Sequence, residues 1–83
     1  MDSDFQDFIR EEQIKLTKIQ SGLSVQQRIK LSPKIGEIRF LLNLLRTDYN
    51  RLSKKQKEDI KDDIEEGTKV IKKMSKAEKL REA

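Results

Sequence analysis

From Ile35 to Leu52 the residues Ile35, Ile38, Leu42, Leu45, Tyr49 and Leu52 recur at alternating three- and four-residue steps, the spacing that stacks side chains along one face of an α-helix. Phe40, Leu41 and Leu44 lie beside or away from that seam. At about 100° per residue they widen the apolar arc to roughly 220°. A helix apolar around so much of its circumference needs cover on more than one side. The stretch therefore predicts an all-α protein built around one central element, and it says little about chemistry.

Signals on either side of the seam supply that cover. Four segments match the pattern Ser-x-x-Gln/Glu, namely Ser3 to Gln6, Ser24 to Gln27, Ser53 to Gln56 and Ser75 to Glu78. In such a capping box the serine hydroxyl accepts from a first-turn backbone N–H and the later side chain returns a bond. A first helix is expected over about 4–21, with Phe5, Phe8, Ile9, Leu16 and Ile19 on one face and Glu12 inside that stripe. Glu12 is expected at the rim or paired with a base of the central helix, and Ile14 outside. Gly22 offers a left-handed closing residue. The segment Leu23 to Leu31 reads as loop or short helix, because Ser32-Pro33 is expected to stop it and to start the central helix, about 33–51, with Pro33 in its first position.

After Asn50-Arg51-Leu52-Ser53 the chain either reverses or runs straight on. The Ser53/Gln56 pair favours a fresh start and an αα-hairpin. The third helix, about 54–74, then sets Ile60, Ile64, Gly67, Ile71 and Met74 on a narrow stripe. In a hairpin, residues whose numbers sum to about 105 face each other. This places Gly67 opposite Ile38, Arg46 near Asp59 and Arg39 near Glu66. Residues 75–83 lose the stripe and read as a frayed or partner-dependent tail. The expected architecture is a three-helix bundle forming one domain over 1–83.

Of the 83 residues, 41% are charged and 34% apolar, a balance near the border between folded and disordered chains that the helical periodicity decides for folded. A chain of this length buries only about 60–65% of the surface its unfolded form exposes, so a partner or a second copy is a natural supplement. The net charge of +4 conceals blocks: residues 1–12 carry −4, 13–57 carry +9, 58–66 carry −5 and 67–83 carry +4. Blocks of alternating sign in a folded chain tend to neutralise one another.

Cysteine and histidine are both absent, which removes disulfides, thiolate metal sites and the side chains most often tuned for catalysis near neutral pH. The carboxylate pairs Asp59/Asp63 and Asp62/Glu66 stand one turn apart but lack the loop, glycine and carbonyl ligands of a calcium site. The three glycines are too dispersed to cradle a phosphate. The expectation is a non-enzymatic protein without cofactor, metal or small-molecule substrate. The acidic start Met1-Asp2-Ser3-Asp4, and the lack of an apolar run near the roughly 18 residues of a membrane span, add the expectation that it is soluble, cytoplasmic and not membrane-attached.

Two binding roles remain. In the first, the apolar surplus of the central helix, Phe40, Leu41 and Leu44, binds another protein or a second copy of the chain. In the second, Arg28, Lys30, Lys34, Arg39, Arg46, Arg51, Lys54, Lys55 and Lys57 neutralise nucleic-acid phosphates without reading sequence. The second has weaker support. A helix-turn-helix would need a polar recognition helix where the most apolar helix lies. Single-strand binding would need free aromatics, but Phe5, Phe8, Phe40 and Tyr49 are all expected at or near core positions.

Overall fold

In the computed structural model, which describes residues 3–82 with side chains through Lys76, three helices form a bundle 45 × 17 × 16 Å in extent. They are α1 (Ser3–Ser21), α2 (Val25–Thr47) and α3 (Lys54–Glu82), with a short 3-10 turn, Tyr49–Arg51, between the last two. Because the connections are short, each helix runs back along its predecessor, and α2 packs more extensively on α3 than on α1.

The hairpin alternative holds. α2 ends at Thr47, the Asp48 N–H closes it on the Leu44 carbonyl (2.9 Å), and Leu52 is extended at φ −87°, ψ 139°. Ser53 then starts α3 through a complete capping box: Gln56 N–H donates to Ser53 Oγ (3.1 Å), and Ser53 N–H donates to Gln56 Oε1 (2.9 Å). The register follows the expected sum, for a Cβ built on Gly67 would lie 3.0 Å from Ile38 Cγ1 and Cδ1. The two charge pairs expected along that edge are not formed: among the described residues no ion pair joins Arg46 to Asp59 or Arg39 to Glu66. Arg39 turns the other way and donates to Gln20 Oε1 on α1.

The central helix starts one element earlier than expected. Ser24 and Gln27 form the capping box, and the helix runs from Val25 through Pro33 to Thr47 instead of beginning at Pro33 and reaching Arg51. An internal proline removes one i→i−4 hydrogen bond and costs about 3 kcal/mol in a helix interior. Here the orphaned carbonyl belongs to Ile29, which is exposed, as Pro33 is. Water can satisfy that carbonyl, while Leu31 and Ile35, on the other side of the same turn, are buried in the core.

The core gathers Ile9 and Leu16 of α1, Leu23 of the first loop, Leu31, Ile35, Ile38, Leu42 and Leu45 of α2, and Ile64 and Ile71 of α3. Phe5, Phe8, Ile19, Leu41, Leu52 and Ile60 pack on it from the rim, and Ile14 is exposed as expected. Gly22 keeps a negative φ. Instead of a left-handed cap, α1 closes with tight bonds from Gly22 N–H to the Ile19 carbonyl and from Leu23 N–H to the Gln20 carbonyl, both 3.2 Å.

Glu12 is neither at the rim nor bound to a base of α2. It is 3% exposed, with Lys15 Nζ 3.2 Å from Oε1 and the Thr68 hydroxyl of α3 3.0 Å from Oε2. The stripe of α3 is also rotated from the expected one. Thr68 and Ser75 are buried, whereas Met74 is 39% exposed. No new cap forms at Ser75, because α3 continues through it to Glu82. The contacts of Ala77 and Leu80, in the expected tail, lie outside the described side chains.

Candidate protein-docking face

Read as one helix from Val25 to Thr47, α2 has two apolar faces. Leu31, Ile35, Ile38, Leu42 and Leu45 form the buried one. Val25, Ile29, Gly36 and Phe40 fall on the opposite side, within an arc of about 60° at 100° per residue that also holds the polar Asn43 and Thr47 near its carboxyl end, and Leu44 extends it by roughly 40°. Among the described residues no side chain covers Val25, Ile29, Gly36 or Phe40, although Leu44 is partly buried. Val25, Ile29 and Phe40 are 72%, 70% and 66% exposed, and a Cβ added to Gly36 would meet nothing within 4 Å.

The three expected partner-binding residues separate. Phe40 faces solvent and Leu44, one turn on, is half-buried beside it. Leu41 turns toward α3, where it rests on the core and lines a groove with Ile38, Gly67 and Val70. Phe40 is therefore not a core aromatic, although Phe5, Phe8 and Tyr49 are partly buried. Val25 and Ile29 belong to the face and were not among the expected residues. A stop at Pro33 interrupts the 3.6-residue count that brings them into line with Phe40.

The nine basic residues do not form one surface. Arg28, Arg39 and Arg46 run along the edge of the outward face that adjoins α1, and the first two donate to Gln20, at its carbonyl (3.2 Å) and side-chain oxygen respectively. Lys30 and Lys34 lie on the opposite edge with Glu37. There Lys34 and Glu37 share the α2–α3 groove with Asp63 and Glu66. Arg51, Lys54, Lys55 and Lys57 sit at the far end, in the 3-10 turn and the start of α3. Lys57 is committed locally, its Nζ 3.7 Å above the Tyr49 ring, which also meets Phe5 edge-on at 5.6 Å. The ring faces there are not open platforms for bases.

Among the described residues no cluster of three or more acids is arranged to hold a metal ion, and no helix is long and apolar enough to cross a membrane. The groove between α1 and α3 is lined by Lys15, Lys18, Lys72 and Lys76 above Thr68 and Ser75. Lys15 is already bound to Glu12. Lys18 lies in the last turn of α1, where a cation offsets the helix dipole. Comparison with protein-family models, with curated proteins and with solved structures finds no match for this chain.

Proposed function

We propose that this chain is a non-enzymatic binding protein whose outward α2 face docks onto another protein. The observation that carries the reading is the alignment of Val25, Ile29 and Phe40, each about two-thirds exposed or more, in one arc of a helix already fixed on its other side. Large apolar side chains left exposed along one helix face and flanked by charge are characteristic of interaction sites, and anchors on a single helix face suit helix-on-helix recognition. An enzymatic role has little to work with, since the chain has no His and no Cys. Nucleic-acid binding is the second reading, and it is disfavoured by the division of the basic residues among two edges and one end.

The test is a selection from a library of helical peptides with the wild-type protein and with the double variant Ile29→Glu, Phe40→Glu as parallel baits. Both positions are exposed, so circular dichroism and melting should be nearly unchanged. Peptides retained by the wild type and lost by the variant are expected. Binding of labelled duplex that collapses with salt, persists in the double variant and disappears on reversing Arg28, Arg39 and Arg46 would transfer the function to nucleic acid.

A further inference from the structure

We infer that the occupant of this face is an amphipathic helix of another protein, crossing α2 at Gly36 and carrying acidic residues along the edge that meets Arg28, Arg39 and Arg46. The inference rests on the docking reading and adds the chemistry of the partner. Gly36 sits midway between Val25 and Thr47 on the outward face, with nothing within 4 Å of where its Cβ would be. A backbone can approach closest at that point, with Ile29 on one side and Phe40 on the other as anchors.

Charge selects among the possible occupants. α2 carries five bases, Arg28, Lys30, Lys34, Arg39 and Arg46, against Glu37 alone. In an antiparallel pair of α2 helices crossing at Gly36 like edges meet, which sets Arg28 of one copy beside Arg46 of the other, while on the opposite edge Lys34 meets Glu37. In a parallel pair Arg28 would oppose Lys30, and only Arg39 with Glu37 would attract. In both arrangements an attractive pair is offset by a repulsive one, so a second copy gains no net charge attraction, whereas an acidic partner edge would attract all three arginines.

An anionic lipid surface is flat and would meet both edges at once, but the edges differ. The α1 side is wholly basic, whereas the α3 side mixes Lys34 with Glu37, Asp63 and Glu66. A helix can match one edge with acids and the other with mixed charge. The arginines stand eleven and seven residues apart, roughly 16 and 10 Å at 1.5 Å per residue, so the partner's acids should recur at those intervals.

Three stapled helical peptides of about 22 residues, long enough to cover α2, would share one apolar face and carry glutamate, glutamine or lysine on the edge facing the arginines. Their binding to the full chain would be followed by fluorescence anisotropy at low and moderate salt. The glutamate peptide should bind at least about tenfold tighter than the lysine peptide, with the gap shrinking as salt rises. The order should reverse in the triple variant Arg28→Glu, Arg39→Glu, Arg46→Glu. Arg46→Glu alone, which breaks no contact to Gln20, should narrow the gap in a chain that melts like the wild type. Phe40→Glu should abolish binding, and Gly36→Leu should weaken it without unfolding α2.

If all three peptides bind alike and Phe40→Glu releases them, the acidic edge is overturned and the docking face stands. If none binds, both readings fall. A sedimentation mass of two chains that Phe40→Glu halves would assign the face to a second copy. Tighter binding to phosphatidylserine vesicles than to the glutamate peptide would assign it to a membrane surface. Either result overturns the inference.

Discussion

Inward, α2 presents Leu31, Ile35, Ile38, Leu42 and Leu45, none more than 4% exposed; outward it presents Val25, Ile29 and Phe40, none less than 66% exposed. The two sets are alike in chemistry, sit on one continuous helix and differ only in what lies opposite them. Two antiparallel neighbours cover the arc between them and leave the far side bare, so apolar character does not determine burial here. An apolar side chain contributes to stability only where folding removes it from water. The outward set therefore does little for the fold.

The largest expected effect exploits that difference. Leu42→Ala removes a side chain that is 1% exposed and should lower the unfolding free energy by about 2–5 kcal/mol. Chains of this length have only about 4–12 kcal/mol to lose. Phe40→Ala removes a larger side chain and should change stability by no more than about 0.5 kcal/mol. Urea midpoints for the two variants are the measurement. Comparable losses would mean that Phe40 is buried in solution and that the second face does not exist as free surface.

A smaller contrast involves two threonines. Thr68 Oγ1 lies 2.9 Å from the Ile64 carbonyl and Thr47 Oγ1 2.9 Å from the Asn43 carbonyl, the same back-bond one turn up the helix. Thr68 is buried and its single hydroxyl proton is shared between that carbonyl and Glu12 Oε2 at 3.0 Å, whereas Thr47 is exposed on the outward side of α2. Thr68→Val keeps the volume and strips a donor from a buried carboxylate, a loss of about 1–3 kcal/mol. Thr47→Val makes the same chemical change in water and should be nearly neutral. Equal melting temperatures for the two variants would remove Glu12–Thr68 as a tie between α1 and α3.

Much of the inward side was legible in the sequence. The seam Ile35, Ile38, Leu42, Leu45 repeats with the helical period, and the Ser53/Gln56 box marked the reversal that puts Gly67 against Ile38. These are local rules, and local rules can be read from a chain. The place of Pro33 inside the helix is not legible in this way, because it depends on a tertiary fact: the carbonyl it orphans lies on the side of α2 away from both α1 and α3.

Half of the outward face is hidden from the sequence for the same reason, since Val25 and Ile29 align with Phe40 only when the helix is counted through the proline. The partner of Glu12 was equally out of reach. Periodicity placed the carboxylate within the stripe of α1, but Thr68 comes into range only once α3 has been rotated against α1. Arg39 meets Gln20 and not Glu66 for a related reason: it lies on the α1 edge of α2, and hairpin register alone does not distinguish the two edges.

The finest test of the two faces uses a single methyl group. Gly36 and Gly67 both lie inside helices, where alanine is favoured over glycine by about 1 kcal/mol. At Gly36 the added Cβ enters open space on the outward face, so Gly36→Ala should raise the unfolding free energy by up to that amount. At Gly67 it would stand 3.0 Å from both Cγ1 and Cδ1 of Ile38. Ile38 is 3% exposed and has little room to retreat, so overpacking of about 1–3 kcal/mol should cancel or exceed the propensity gain. The difference between the two variants, read from urea midpoints measured side by side, isolates what lies opposite each position, because the intrinsic preference is common to both. A gain of the same size at both sites would show that α2 and α3 are looser at Ile38 than a 3.0 Å approach allows. A loss at Gly36 would show that something already covers the outward face, and the docking reading would then need a different surface.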